Sequence, residues 1–273
     1  MRVIVKSLFV LFVASSIANA ELTAEYISVD GAGSGAVEGD LTAQGPVTLL
    51  DADGGDMWND GDNFIYLREN DIVKGDFTAT VRVVAQTEAI DGRWGKAGIR
   101  ASNNLGGTSS NAMAQLAAGN GSQPGQANPV PARLAGRTQN ALPNGFESPI
   151  LDASGAEVPN DVFRLDGGVN TSWLSLSYTA ADNSFVAGIA PDVDGAPGEW
   201  SYSDPRTDVE ASGDGWYVGL AYSAHSDLNY DQVTRADGFH GITFDNFSLV
   251  PEPTSMTMIG LGVLGLLGVR RRR

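Results

Sequence analysis

Apolar residues recur at every second position in several short segments of this 273-residue chain. Between Phe77 and Ala85 they alternate with Thr78, Thr80 and Arg82. Successive side chains of a strand point to opposite faces, so a period of two predicts strands with one buried face. The same alternation surrounds Leu174 and Leu220, and further strands are predicted at 22–29, 63–69, 95–102, 111–118, 183–190 and 239–250.

Turn-forming dipeptides separate these segments. Asp-Gly and Gly-Gly pairs favour tight turns because glycine adopts positive φ at little cost. They stand at 53–55, 91–92, 166–168, 194–195 and 213–215. No amphipathic segment long enough for a helix of ten residues interrupts the pattern. Many short strands with dense turns predict an all-β fold, a single jelly-roll β-sandwich.

The region from Gly119 to Asp161 lacks this succession of short strands and turns. It contains six prolines and is rich in Gly, Asn and Ala. Proline cannot donate to a strand ladder and is excluded from central strands. Only Pro131–Thr138 could form a strand here, so 119–161 is predicted to be a long loop region over one face or rim of the sandwich.

The N-terminus carries the features of an export signal. Arg2 and Lys6 precede an apolar segment from Leu8 to Ile17, and a small-x-small site follows at Ala18-Asn19-Ala20. Residues 1–20 are therefore predicted to be a signal peptide read by the Sec machinery, and the mature chain to begin at Glu21. Ten apolar residues are too few to favour a retained membrane helix.

An exported chain without cysteine cannot be held together by disulfides. It depends on its hydrophobic core, or on a metal. The sandwich predicted for 21–249 is long enough to form one well-buried core.

The C-terminus has three parts in order. Val250-Pro251-Glu252-Pro253 comes first, then an apolar segment from about Met256 to Val269, then Arg270, Arg271, Arg272 and Arg273. The prolines make the first part extended and rigid. The arginines favour a cytoplasmic end. Residues 250–273 closely resemble the PEP-CTERM sorting tail of Gram-negative surface proteins.

This resemblance implies recognition by an exosortase-type enzyme in the inner membrane. It also implies a transient membrane anchor, followed by release to the cell surface or an extracellular polymer matrix. An ordinary membrane anchor is the alternative, although a helix over the 16 residues from Thr254 to Val269 would span only about 24 Å. The hydrocarbon core is about 30 Å thick. The length of the apolar segment alone is compatible with either a membrane anchor or a sorting signal. The Pro-Glu-Pro tripeptide favours the sorting signal.

The net charge of the chain limits the classes of molecule that it can bind. The full sequence has 17 basic and 33 acidic residues. The terminal segments hold six of the basic residues and Glu252, which leaves 11 basic against 32 acidic. Such a domain repels nucleic acid and anionic membranes. Cations and neutral or cationic polymers are compatible partners, and simple solvation of an exported surface is the alternative.

Several segments follow one another in a familiar order. They are 55–58, 62–64, 75–83, 94–100, 173–176, 217–221 with His225, and 243–247. Together they resemble the concanavalin A-like (laminin G or DUF1349-like) β-sandwich modules of bacterial extracellular proteins, over most of Leu22–Val250. The resemblance implies a jelly-roll sandwich of a kind that often binds glycans. Region 119–161 is longer than the family pattern, so no ligand loop is carried over there.

Catalysis is not predicted. Glycosidases of sandwich type need two carboxylates about 5–9 Å apart. In this fold family they usually stand as Glu-x-Asp-x-x-Glu, which is absent here. Glu88 and Asp91 have another spacing and lead into a turn. His225 and His240 have no Gly-x-Ser-x-Gly partner.

A calcium site is a weaker expectation. Asp51, Asp53 and Asp56 lie within six residues on a Gly-rich turn. Carboxylates are the hard oxygen ligands that Ca²⁺ prefers. An EF-hand does not fit, because Gly55 and Asp62 stand where ligands of another type belong. A solvated acidic turn is the alternative.

Sugar rings stack on exposed aromatic faces, and Trp58, Trp200 and Tyr202 are the candidate platform. Core packing is the alternative, since Trp is usually buried. The sequence favours a non-catalytic surface or matrix protein that binds extracellular polysaccharide. A structural matrix protein without a discrete ligand is the alternative. Ice binding would require a regular Thr array, of which only Thr78 and Thr80 form a pair.

Overall fold

The computed structural model of the protein describes residues 21–29, 34–51, 57–58, 61–87, 95–117, 132–140, 145–158, 171–211, 213–224 and 240–251. These residues form sixteen strands. In chain order the strands are β1 (Thr23–Ser28), β2 (Gly35–Gly39), β3 (Val47–Asp51), β4 (Met57–Trp58), β5 (Gly61–Arg68), β6 (Phe77–Thr87), β7 (Lys96–Ser102), β8 (Asn111–Ala117), β9 (Arg133–Arg137), β10 (Gly145–Leu151), β11 (Ser172–Thr179), β12 (Ser184–Val193), β13 (Ala196–Pro197), β14 (Ser201–Ser203), β15 (Tyr217–Ser223) and β16 (His240–Pro251).

The strands form two antiparallel sheets that share β10. The first sheet has the order β1-β5-β15-β7-β8-β9-β10, and the second has β10-β14-β12-β11-β6-β16-β3-β2. Gly145–Pro149 of β10 pair with β9, and Ile150 and Leu151 then pair with β14. The connected path folds over at β10, so the sheets stack face to face. The predicted all-β sandwich is confirmed.

The inward faces of the two sheets build one core. On the second sheet it contains Val81 of β6 and Leu174 of β11, and on the first sheet Ile99 of β7 and Leu220 of β15. All four side chains are fully buried. Each contributes roughly 1.5–3 kcal/mol by leaving water. The period of two read from the sequence is thus the alternation between core and outer face.

Aromatic rings close one end of this core, and we call them the aromatic end cluster. Phe77, Tyr178, Phe185 and Trp216 come from four different strands or strand ends. The Tyr178 and Phe185 ring centroids are 4.7 Å apart, and those of Phe185 and Trp216 are 4.8 Å apart at 83°. The Phe185–Trp216 contact is edge-to-face, a geometry that stabilises beyond the area that it buries.

The predicted loop region 119–161 needs a correction. Arg133–Arg137 form β9, as expected for 131–138. The prediction was wrong for Gly145–Leu151, which form β10 despite Pro149. Pro149 is the last residue paired with β9 before the strand passes to the second sheet. A proline is tolerated where ladder pairing changes. Residues 119–131, 141–144 and 159–161 lie outside the described residues.

Neither β2 nor β3 was predicted from the sequence, and for β3 the structure supplies the reason. In β3 both Leu49 and Leu50 are buried, although they point to opposite faces. A strand covered on both sides shows no alternation. Within the described part of the chain, no helix is long and apolar enough to cross a membrane. The predicted sorting helix and the signal peptide 1–20 lie outside the described residues.

Candidate functional site

Small hydroxyl side chains occupy part of the outer face of the second sheet, and we call them the hydroxyl grid. Thr80 of β6 stands opposite Ser248 of β16 and Ser175 of β11. One row further along, Thr78 and Ser177 face each other, and their hydroxyl oxygens are 3.0 Å apart. These positions alternate with the core residues of the same strands. The hydroxyl side chains of these strands therefore point away from the core, whereas their apolar neighbours in the sequence point into it.

Two aromatic rings lie at the β14 edge of this grid. Tyr202 pairs with Gly188 of β12, which in turn pairs with Ser175. The ring of Tyr202 lies over Gly188, since a Cβ added there would stand 2.8 Å from the Tyr202 Cε1 atom. A glycine at this position lets the ring rest on the sheet. Tyr202 remains 48 % exposed.

Trp200 stacks beside Tyr202. The two ring centroids are 6.1 Å apart, and the ring planes differ by only 21°. Trp200 is partly exposed. The structure therefore brings together two of the three predicted platform residues. Trp58 belongs to β4, and its side chain lies outside the described residues. We call Trp200 and Tyr202 the ring pair.

Charged side chains on the other part of this face neutralise one another. Arg82 donates from Nε to Asp245 Oδ1 at 2.7 Å and from Nη2 to Asp245 Oδ2 at 2.6 Å. The hydrogen bond to Asp245 raises the pKa of Arg82. Asp192 lies 3.6 Å from Arg82 and accepts a hydrogen bond of 2.8 Å from Trp173 Nε1. Trp173 is thus anchored on the outer face rather than in the core.

Asp51, the first of the predicted calcium ligands, lies inside the sandwich. It is fully buried at the end of β3. Its Oδ1 accepts a hydrogen bond from Tyr26 Oη at 3.2 Å, and its Oδ2 accepts one from the Ala224 N–H at 2.7 Å. Beside it, burial and the Asp51 charge raise the pKa of Tyr222. These contacts give Asp51 a role in joining β3 to the first sheet.

Asp53 and Asp56 lie outside the described residues, so the calcium site stays a prediction. In the described ranges, no three His, Cys, Asp or Glu side chains are grouped in a way that could hold a metal ion. His225, Glu88 and Asp91 also lie outside these ranges, as does the side chain of His240.

The sequence analysis missed a buried charge cluster on the outer face of the first sheet. Asp62 of β5 is fully buried between Arg100 of β7 and Arg137 of β9. Arg137 Nη2 donates to Asp62 Oδ1 at 3.0 Å, and Arg100 Nη2 donates to Asp62 Oδ2. The Arg100 guanidinium also lies 4.4 Å above the Phe64 ring. Alternation could place Arg100 on the outer face, but nothing in the sequence indicated that this part of the face is buried.

The sorting segment begins inside the sandwich. Val250 and Pro251 belong to β16 and pair with Thr78 and Phe77 of β6. The last strand therefore ends one residue beyond the strand end predicted at 250 and two beyond the predicted end of the sandwich at 249, because its ladder with β6 extends to the first residue of that strand. Glu252, Pro253 and Arg270–Arg273 lie outside the described residues, as do Ala18 and Ala20. The Glu21 carbonyl accepts a hydrogen bond of 2.9 Å from Asn70.

Shortening β16 should destabilise the sandwich. A chain that ends at Phe247 loses the four pairs from Ser248 to Pro251 and the packing of Leu249 on the core. We expect a free energy of unfolding roughly 2–3 kcal/mol below that of a chain that ends at Pro251. Urea unfolding of the two versions measures this difference. Equal stabilities would show that the end of β16 contributes nothing.

Comparison with known families identifies one segment. Residues 249–273 match the PEP-CTERM protein-sorting motif. The tail recognised from its sequence is thereby confirmed, and the chain is an exported, membrane-passing protein. The match covers the C-terminal segment alone. No curated protein matches the chain.

Solved structures resemble the sandwich at low identity. Arcelin-5, a lectin-like defense protein from Phaseolus vulgaris, is 11 % identical, with 85 % of this chain and 100 % of that chain covered and a TM-score of 0.42. Endo-β-1,4-glucuronan lyase from the fungus Trichoderma reesei is 10 % identical, with 84 % and 91 % covered and a TM-score of 0.41.

A further similar structure is xylan β-1,4-xylosidase from Bacillus halodurans C-125. It is 11 % identical, with 72 % of this chain covered and a TM-score of 0.42. This chain spans only 32 % of that enzyme. At such identities the likeness concerns the fold alone. None of the sugars or reactions of these proteins is assigned to this chain on that ground.

Proposed function

We propose that this protein is a non-catalytic polysaccharide-binding module of the cell surface or extracellular matrix, with the ring pair as its binding platform. The observation that carries the proposal is the stacked, near-parallel arrangement of Trp200, which is partly exposed, and Tyr202, which is 48 % exposed, at the β14 edge of the outer face. A sugar ring presents flat C–H surfaces that pack on aromatic faces. The exposed parts of these two stacked rings offer such a surface to a sugar unit.

The hydroxyl grid supports the same ligand class. Thr80 and Ser248 lie in the row that leads from Gly188 and Tyr202 across the sheet. Hydroxyl groups both donate and accept hydrogen bonds, as sugar hydroxyls do. The full chain carries a net charge of −16, which favours a neutral polymer over an anionic one.

The sorting motif supports export of the protein to the cell surface or extracellular matrix, where such polysaccharides occur. An exosortase-type enzyme in the inner membrane of a Gram-negative bacterium would process the tail after Sec-dependent export. The proposal assigns no reaction to the outer face, because its charged groups Arg82, Asp192 and Asp245 bind one another. Calcium bound through Asp51, Asp53 and Asp56 would be an addition to this proposal, and Asp51 would then have to exchange its hydrogen bonds with Tyr26 and Ala224 for the metal.

Removing either ring should weaken binding. We expect Tyr202→Ala and Trp200→Ala each to lower affinity for the matrix polysaccharide by roughly 1 kcal/mol, or about fivefold. Calorimetric titration with purified matrix polysaccharide, in Ca²⁺ and again in EDTA, measures the effect. Loss of binding in EDTA would add the metal to the proposal, and unchanged binding would remove it.

Val193→Ala is the matched control, since Val193 is 53 % exposed on the same sheet but lies in the β12–β13 hairpin. Its affinity should equal that of the unaltered protein. Full affinity after both rings are replaced would refute the platform. Absence of binding by the unaltered protein would favour a structural matrix protein without a discrete ligand.

A further inference from the structure

The sorting motif and the folded sandwich overlap in the sequence. The motif match covers 249–273, whereas β16 ends only at Pro251. Leu249, Val250 and Pro251 therefore belong to both. In the folded protein they pair with the first three residues of β6, 77–79. An enzyme that processes this motif meets its first three residues as part of a sheet.

The strand β16 is held from two sides as far as Phe247. Its first part pairs with β6 on one side and with β3 on the other, up to Phe244. Phe247 is buried, its N–H donates to the Ala43 carbonyl at 2.8 Å, and its carbonyl accepts a hydrogen bond from the Gln44 side chain. Phe247 is therefore a fixed point of the strand.

The end of β16 is held more weakly. Among the described strands, β6 alone pairs with Ser248–Pro251. A register shift between Asp245 and Ser248 separates these pairs from the rest of the ladder. Three of the four residues are exposed, and Leu249 packs on the core. Segments with few buried contacts open locally at a lower free energy than the whole fold.

A processing enzyme has to enclose the substrate chain around the bond that it cuts. In the sheet, the Leu249 side chain packs on the core, and β6 occupies one edge of the strand. Backbone groups that already pair with β6 are not available to a second partner. A cleft therefore cannot surround this part of the motif while the ladder is intact.

We propose that the sorting enzyme binds Leu249–Pro251 only after Ser248–Pro251 have detached from β6, so that the sandwich limits the rate at which its own tail is processed. Detachment stops at Phe247, and the core stays folded. The destabilisation expected for a chain that ends at Phe247 corresponds to an open population of about 1 %. This step precedes polysaccharide binding and does not depend on it.

A removable crosslink tests the proposal. Thr78→Cys combined with Val250→Cys places two thiols directly opposite each other, at a Cβ separation of about 4.5–5.5 Å, close to what a disulfide requires. The chain has no other cysteine. Processing of the full-length precursor is followed by immunoblotting in inner membranes isolated from the cells that produce it. We expect processing to be at least about tenfold slower after oxidation and to recover on reduction.

Thr48→Cys combined with Thr243→Cys is the matched control. The hydroxyl oxygens of this pair are 2.9 Å apart, and the crosslink would tie the same strand to β3 upstream of Phe247. This variant should be processed at the rate of the unaltered protein, whether oxidised or reduced. Mass spectrometry establishes that each crosslink has formed.

Two further measurements do not require a crosslink. Ser248→Gly lies outside the motif match and weakens the strand end, because glycine is unfavourable in strands; processing should become about threefold faster. Hydrogen exchange of the unaltered protein should be faster over 248–250 than over 242–244, where β16 has a strand on each side.

Unchanged processing of the oxidised Thr78→Cys, Val250→Cys protein would overturn the proposal, because the enzyme would then act on the paired strand. Equal slowing of both crosslinked proteins would also overturn it, since the effect would not depend on the strand end. The same holds if Ser248→Gly brings no gain in rate, or if 248–250 exchanges as slowly as 242–244.

Discussion

Replacing Asp62 with asparagine should lower the free energy of unfolding by about 3–5 kcal/mol, a large effect for a single substitution in this domain. Its carboxylate is fully buried and bonds both Arg100 and Arg137. Without it, two buried guanidinium groups remain close together. Their repulsion and lost solvation would be uncompensated, since Arg stays protonated. Urea unfolding followed by tryptophan fluorescence measures the change.

Asp208→Asn is the control for this prediction. Asp208 also pairs with an arginine, Arg206, but its side chain is 55 % exposed. Exposed pairs contribute about 0–1 kcal/mol, so this variant should unfold almost as the unaltered protein does. A loss below about 1 kcal/mol for Asp62→Asn would mean that the buried cluster does not hold β5, β7 and β9 together.

Phe185→Ala should cost a similar amount, about 3–5 kcal/mol, by emptying the centre of the aromatic end cluster. The ring of Phe185 is fully buried and contacts both Tyr178 and Trp216. Deleting it removes transfer energy and leaves a cavity that rigid neighbours cannot fill. Thermal and urea unfolding measure the loss.

Phe185→Leu is the matched variant, because it retains most of the volume. We expect it to lose clearly less stability than the alanine variant, since the residual cavity is smaller. Equal losses would indicate that edge-to-face ring contacts, rather than volume, dominate at this end. A loss under 1 kcal/mol for Phe185→Ala would contradict the packing argument.

The sequence predicted most of the strands because one face of each is buried and the other is not. Val81 and Thr80 illustrate this, since neighbouring residues of β6 lie in the core and in the hydroxyl grid. The reasoning failed where both faces are covered, as in β3, and where a strand changes sheets, as at Pro149. Local pattern carries no information about which neighbour a strand will have.

The candidate site was predicted in part for the same reason. Trp200 directly precedes β14 and Tyr202 lies two positions further along, so extended backbone brings both side chains to one side of the chain. What sequence could not show is that Gly188, from another strand, lies beneath Tyr202 and lets its ring lie on the sheet.

The sequence alone determined the sorting tail and the all-β class, because these depend on composition and short-range order along the chain. The tertiary structure decided which outer face is covered and which is open. Arg100 and Thr80 both occupy outward positions, yet Arg100 is buried with Asp62, whereas Thr80 is partly exposed. Burial is set by contacts between residues distant in sequence, and the pattern of a single strand does not contain them.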